Sequence, residues 1–259
     1  MTPEIPAYIT TLVIAAAFAI AIAVTMALSR AAGRSGLPHA SQRRVRLGSM
    51  VFFGVWLAAV MLLAPTSSPP ASVDSFAIAP LIPLAAVGSL AVALVAVARS
   101  ASLRRVLLSV PLATLNALQV WRVVGILFVI LLAQGVLPAH FALPAGWGDV
   151  AVGVTAPWVA LALSRGVRGS AAIAIGWNVF GLLDLVVAVG MGTGLLAPVL
   201  VPELGPRVPP AAAMGMLPMI LVPTFAVPAS VMVHVLALHR LRRDAQSAPA
   251  ARGALIARS

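Results

Sequence analysis

The sequence predicts an all-α fold, a polytopic bundle of seven transmembrane helices with the N-terminus outside and the C-terminus in the cytoplasm. Three observations predict it. Only 9% of the 259 residues are charged while 61% are hydrophobic, against about 25% charged in a soluble domain, so too little polar side chain exists to coat a water-facing surface. Seven apolar runs come close to or exceed the roughly 20 residues that cross a bilayer. The arginines between those runs fall almost entirely on alternate connections.

The seven expected spans are Tyr8 to Leu28, Leu47 to Ala64, Phe76 to Ala98, Val106 to Leu132, Trp147 to Leu163, Ser170 to Gly190 and Met214 to Leu238. The first is expected to be a retained helix rather than a secretion signal. Its leader holds Glu4 and no base, it is long for a signal core, and arginines follow it.

Charge then orients the bundle. One side receives Arg30, Arg34, Arg43, Arg44 and Arg46, then Arg99, Arg104 and Arg105, then Arg165 and Arg168, then Arg240, Arg242, Arg243, Arg252 and Arg258. The other side receives Arg207 with Glu4, Asp74 and Glu203, while Arg122 stays inside a span. Short loops rich in arginine remain cytoplasmic, which fixes an odd number of helices and predicts a multi-pass protein of the inner (plasma) membrane.

The outer connections, Pro65 to Pro70 and Gly192 to Pro210, are rich in turn formers and offer no folded domain of their own. Residues 1–243 therefore read as one membrane domain and 244–259 as a disordered cytoplasmic tail.

Residue content excludes several functions. The net charge of +11 is spread between apolar runs rather than gathered on one patch, so it reads as topology and contact with anionic lipid, not nucleic-acid binding. The absence of cysteine removes disulfides, thiolate metal sites and thiol nucleophiles. All seventeen basic residues are arginine, so a retinal Schiff base has no amine to form on. No phosphate-binding loop, metal motif or catalytic triad is present, and no cofactor is expected.

Prolines punctuate the spans. Most read as ordinary kinks, but Pro218, Pro223 and Pro228, at five-residue spacing in the last span, predict a real bend.

Polar residues within spans carry the functional information, because a charge in hydrocarbon costs several kcal/mol unless paired or hydrated. Asn116, Gln119 and Arg122 on the fourth span, and Asn178, Gly181 and Asp184 on the sixth, both repeat every third residue and so form two stripes. At about 1.5 Å per residue, Arg122 and Asp184 lie roughly 20 to 25 Å from the cytoplasmic face if the fourth span starts just after Arg105. Asp149, two residues into the fifth span, falls in the same outer third. The expected site is a cluster of Arg122, Asp149 and Asp184, with Asn116, Gln119 and Asn178 lining a path beneath it. A start near Ala113 places Arg122 about 10 Å lower and weakens the pairing. The rival reading is a buried ion pair that fixes helix register.

Other candidates weigh less. The segment Leu137 to Asp149, with two prolines and two glycines, reads as a loop over the outer mouth, with His140 a solvated or capping residue. Gly146-Trp-Gly-Asp149 matches a string of intramembrane aspartyl proteases, but the order of the two aspartates is reversed and the accompanying Pro-Ala-Leu is missing. His234 reads as interfacial, and His239, five residues on, does not share its face. Met191, Met214, Met216 and Met219 suit Cu(I) in principle and apolar packing in practice.

Gln119-Val-Trp-Arg-Val-Val-Gly125, the segment Leu137 to Asp149, Trp177 to Asp184 and Pro218 to Phe225 before His234 resemble a family of uncharacterised bacterial integral membrane proteins. The resemblance covers the C-terminal half, implies membrane location and brings no activity. The expected function is binding or passage of a small solute, ion or proton through the Arg/Asp cluster. The alternatives are a membrane-embedded hydrolase-like enzyme using the two aspartates, and a structural or assembly partner of a membrane complex. Expected partners are the lipid bilayer and that solute or ion, with self-association left open.

Overall fold

A computed structural model describes residues 5–64, 81–205 and 211–256 of the chain. The turn Pro65 to Pro70, the start of the third expected span at Phe76 with Pro80, and Glu4, Asp74, Arg207 and Arg258 lie outside the described residues. Among the described residues every regular element is helical. Six helices are long and apolar enough to cross a membrane, and a seventh is formed if one bent pair counts as a single span.

The chain begins with α1 (Ala7–Arg34) and α2 (His39–Leu63), which pack against each other. Next come α3 (Leu81–Arg99) and α4 (Ala101–Ser109), bent by 104° at the junction. The bend has local causes. The Ser100 hydroxyl accepts from the Leu103 N–H at 3.1 Å and so starts a new helix, and Arg104 Nη1 donates to the carbonyls of Val97 (2.8 Å) and Ala98 (2.7 Å), ending the old one.

The fourth expected span is thereby corrected. It does not run from Val106 but from Leu112, as α5 (Leu112–Ala133), because Pro111 holds Val110 extended (φ −69°, ψ 125°) and ends α4. Arg240 closes this break from the far end of the sequence, with Nη1 donating to the carbonyls of Leu108 and Val110. Within α5, residues Leu118–Gly125 form a 3₁₀ helix.

Helix α6 spans Ala139–Ser164, and this is a second correction: the segment Leu137 to Asp149 is helical from Ala139 onward, not a loop. Its prolines and glycines do not break it. Pro138 precedes the first turn, where a missing N–H costs nothing, and the glycines meet neighbouring helices at close range. Helix α7 follows over Ser170–Gly192, close to expectation.

The last helix, α8 (Val227–Ile256), starts thirteen residues later than the expected Met214 and continues past Arg243. Ahead of it lie a 3₁₀ turn at Ala212–Gly215 and a π-helical turn at Val222–Ala226. The proline series produces this distortion. An α-helical Thr224 carbonyl accepts from the N–H four residues on, which is Pro228 and has none. The indole of Trp56 donates to that carbonyl instead, at 3.0 Å and fully buried, while its ring packs on Phe225 with centroids 4.8 Å apart.

Replacing Trp56 with Phe keeps the ring but strands the Thr224 carbonyl, and this costs about 1 to 3 kcal/mol in chemical unfolding. Pro228→Ala returns a backbone N–H to the same carbonyl, so the loss from Trp56→Phe is smaller in that background. Equal losses in both backgrounds refute this account of the π turn.

Candidate functional site

Arg122 sits on the 3₁₀ stretch of α5. A 3₁₀ helix turns once every three residues, so Gln119, Arg122 and Gly125 lie directly above one another, and all three are buried. The later start of α5 lowers Arg122 by about 9 Å, and the 3₁₀ stretch, rising about 2.0 Å per residue instead of 1.5 Å, returns only about 2 to 3 Å of that. Asp149 stands ten residues into α6 rather than two, and so meets Arg122 well inside the bundle instead of near its mouth.

The three charged side chains converge. Arg122 Nε donates to Asp149 Oδ1 at 2.5 Å, and Nη2 donates to Asp184 Oδ2. Both aspartates therefore pair with the one guanidinium. Nη1 donates to the Gly181 carbonyl at 3.1 Å and faces His234 Nε2 at 3.3 Å. The arginine is fully enclosed (0% exposed), whereas the Asp149 and Asp184 side chains keep 6% and 7% of their surface. What little of the cluster is accessible is carboxylate.

The amide residues are buried and bonded within the bundle. Asn116 donates to the Leu112 carbonyl (2.7 Å), and Asn178 donates to Asn116 Oδ1 (2.8 Å) and the Ala174 carbonyl (2.7 Å). Gln119 is bound on its other side: its amide donates to the Ser230 carbonyl (3.2 Å), and the Ser230 hydroxyl donates to Gln119 Oε1 (2.8 Å). Trp121 Nε1 donates to that hydroxyl at 3.1 Å. A cavity of about 10 Å3 lies between α1, α5 and α8, bordered by Gln119, Trp121 and Ser230, and one of about 20 Å3 lies between α1, α5 and the π turn before α8.

His234 is a correction. The expected end of its helix at Leu238 made it interfacial, but the span runs to Gln246 and the ring is wholly buried against Arg122, Asn178 and Trp177. Ser230 lies four residues earlier on the same face of α8. That i, i+4 spacing marks both residues as one polar stripe and was the available signal. His239 is exposed, and His140, in the first turn of α6, has an enclosed Nε2 without a hydrogen-bond partner. Met191, Met214 and Met219 are buried among apolar side chains.

Four glycines make the convergence possible, and only Gly181 was visible as part of a stripe. A Cβ on Gly125 would collide with Asp149 Cβ, one on Gly148 with Asp184 Oδ1, and one on Gly153 with the α5 backbone at Arg122 and Val123. A Cβ on Gly181 would meet His234 Nε2 at 2.6 Å and Arg122 Nη1 at 3.3 Å. Each charged side chain thus rests where a neighbouring helix lacks one.

Residues 79–242 match a family described as a domain of unknown function (DUF8737), over more than half of the chain. The chain belongs to this family. No curated protein and no solved structure matches it. The stretch shared with the family holds Arg122, Asp149, Asp184 and His234 with all four glycines, and omits α1 and α2.

Gly153→Ala drives a methyl into backbone and is expected to destabilise by about 3 kcal/mol or more, beyond the usual range for overpacking because no side chain there can swing away. Gly48→Ala, in the exposed middle of α2 with nothing within 4 Å, stabilises by up to about 1 kcal/mol. Thermal unfolding in detergent compares the two; equal effects refute the close approach of α5 and α6.

Proposed function

We propose that the protein is inserted in a membrane with seven spans, its arginine-rich turns cytoplasmic, and that the Arg122, Asp149 and Asp184 cluster binds and passes a proton. One observation carries the proton reading: a fully enclosed guanidinium spends its donors on two carboxylates that keep the only accessible edge. One positive and two negative groups leave a formal excess of one negative charge, which a single proton cancels. An anionic solute meets an Arg122 that is closed off from solvent and already paired with two carboxylates. Two small cavities, of about 10 and 20 Å3, are far below the roughly 300 Å3 or more of a ligand pocket, which supports a proton over a larger solute.

An intramembrane protease is less well supported. Its aspartates must face each other across a water and share a proton, whereas Asp149 and Asp184 are each bound to the same guanidinium. The second reading kept is structural, with the ion pairs fixing helix register. The complete enclosure of Arg122 favours it, because buried pairs are also retained for specificity of packing.

Vesicles of phosphatidylcholine and phosphatidylglycerol enclosing a pH-sensitive dye test the proposal. After an external acid step the wild-type protein is expected to dissipate the gradient faster than protein-free vesicles, and Asp149→Asn and Asp184→Asn to fall back to the protein-free rate. No flux above empty vesicles in the wild type, together with recovered thermal stability in an Arg122→Asp, Asp184→Arg double exchange, favours the structural reading and ends this one.

Topology is testable in a chain that contains no native cysteine. A membrane-impermeant maleimide applied to intact cells is expected to label Glu203→Cys and to label Arg43→Cys only after permeabilisation. The opposite pattern, or equal labelling, overturns the orientation.

A further inference from the structure

The hydrogen bonds around His234 have a single polarity that fixes its protonation form. A guanidinium donates and never accepts, so His234 Nε2, 3.3 Å from Arg122 Nη1, presents its lone pair and carries no hydrogen. The opposite side of the ring agrees. Nδ1 lies 2.8 Å from Asn178 Oδ1, and that atom is the oxygen because the Asn178 amide nitrogen is spent on Asn116 Oδ1 and the Ala174 carbonyl. Asn116 is oriented in turn by its donation to the Leu112 carbonyl. Arginine, histidine and two asparagines thus form one directed chain that ends on a backbone carbonyl, with the imidazole neutral and protonated at Nδ1.

Nothing else in the cluster fixes the rotation of the guanidinium from the side opposite the carboxylates except the Gly181 carbonyl. Nε and Nη2 reach Asp149 and Asp184 together only when Nη1 points between that carbonyl and His234. The space for the imidazole is provided by the missing side chain of Gly181. We infer that His234 is a positioning residue for Arg122: its Nε2 lone pair, held in place by Asn178 and Asn116, sets the guanidinium so that one arginine engages both carboxylates. The inference rests on the cluster being the functional site. It adds that α8, which bears His234, is as much part of the site as α5, α6 and α7.

The test is nuclear magnetic resonance on the full-length protein in lipid nanodiscs, with nitrogen-15 in histidine and arginine. The His234 signals, identified by their absence from His234→Gln, are expected to show a pyrrole-type Nδ1 and a pyridine-type Nε2. A pyridine-type Nδ1, or an imidazolium, overturns the inference. The Arg122 Nε–H signal, identified by its absence from Arg122→Gln, is expected to stand apart from those of the exposed arginines. It is expected to persist in His234→Gln, whose side-chain oxygen can take the place of Nε2, and to move to the exposed-arginine position in His234→Phe, which fills the volume without a lone pair. An unchanged Arg122 signal in His234→Phe reduces His234 to packing and overturns the inference.

If His234→Phe does not fold, Asn178→Leu decides: without an acceptor at Nδ1, the ring is expected to shift toward the Nε2–H form and the Arg122 signal to move with it, and no change in either overturns the inference. None of these readouts depends on flux. Vesicles that pass no protons, with the His234 spectrum as expected, remove the proposed function and leave the positioning role. Flux with an Nε2–H ring does the reverse.

Discussion

A guanidinium with no access to solvent has to find its hydrogen-bond acceptors inside the protein, and this requirement organises the bundle around Arg122. Carboxylates come from α6 and α7, a carbonyl from α7 and an imidazole from α8. Breaking a buried ion pair by removing one partner typically costs about 3 to 5 kcal/mol, because the remaining charge is left without compensation. Four helices are thus held to one register by one side chain, and the glycines opposite each charge are the steric condition for it.

The departures from regular helix cluster near this centre. The 3₁₀ stretch of α5 stacks Gln119, Arg122 and Gly125 on one face, and the π turn before α8 sets the start of the helix that brings Ser230 and His234. Tight and wide turns inside apolar spans are commonly found at functional positions. The π turn has both a sequence cause and a tertiary partner: Pro228 withholds an N–H group, and Trp56 reaches across the sequence to the carbonyl concerned. The break before α5 has the same pairing in Pro111 and Arg240.

Much of this was legible in the residues. Low charge and long apolar runs give the helices, and three-residue spacing places Asn116, Gln119 and Arg122 on one face with Asn178 and Asp184 opposite. The aspartate partners followed from there being so few charges inside the spans. What could not be read depends on contacts distant in sequence. A glycine-rich segment such as Leu137 to Asp149 looks like a loop until its neighbours are known, because the same residue that loosens a backbone also lets another helix come close. His234 looked interfacial because a helix end was inferred from Arg240, yet that arginine is turned back onto Leu108 and Val110 and does not mark the end. The break at Pro111 was visible as a proline; the separate 104° turn between α3 and α4 was decided by Ser100 and Arg104 together.

The indole of Trp56 belongs to α2, outside the stretch shared with the family, yet it satisfies a backbone carbonyl at the start of α8. Cut away from its first two helices, residues 79–242 would keep every charged group of the cluster and lose a buried donor that the Val222–Ala226 turn relies on. The edge of the family match therefore falls between a buried donor on α2 and the carbonyl that it satisfies.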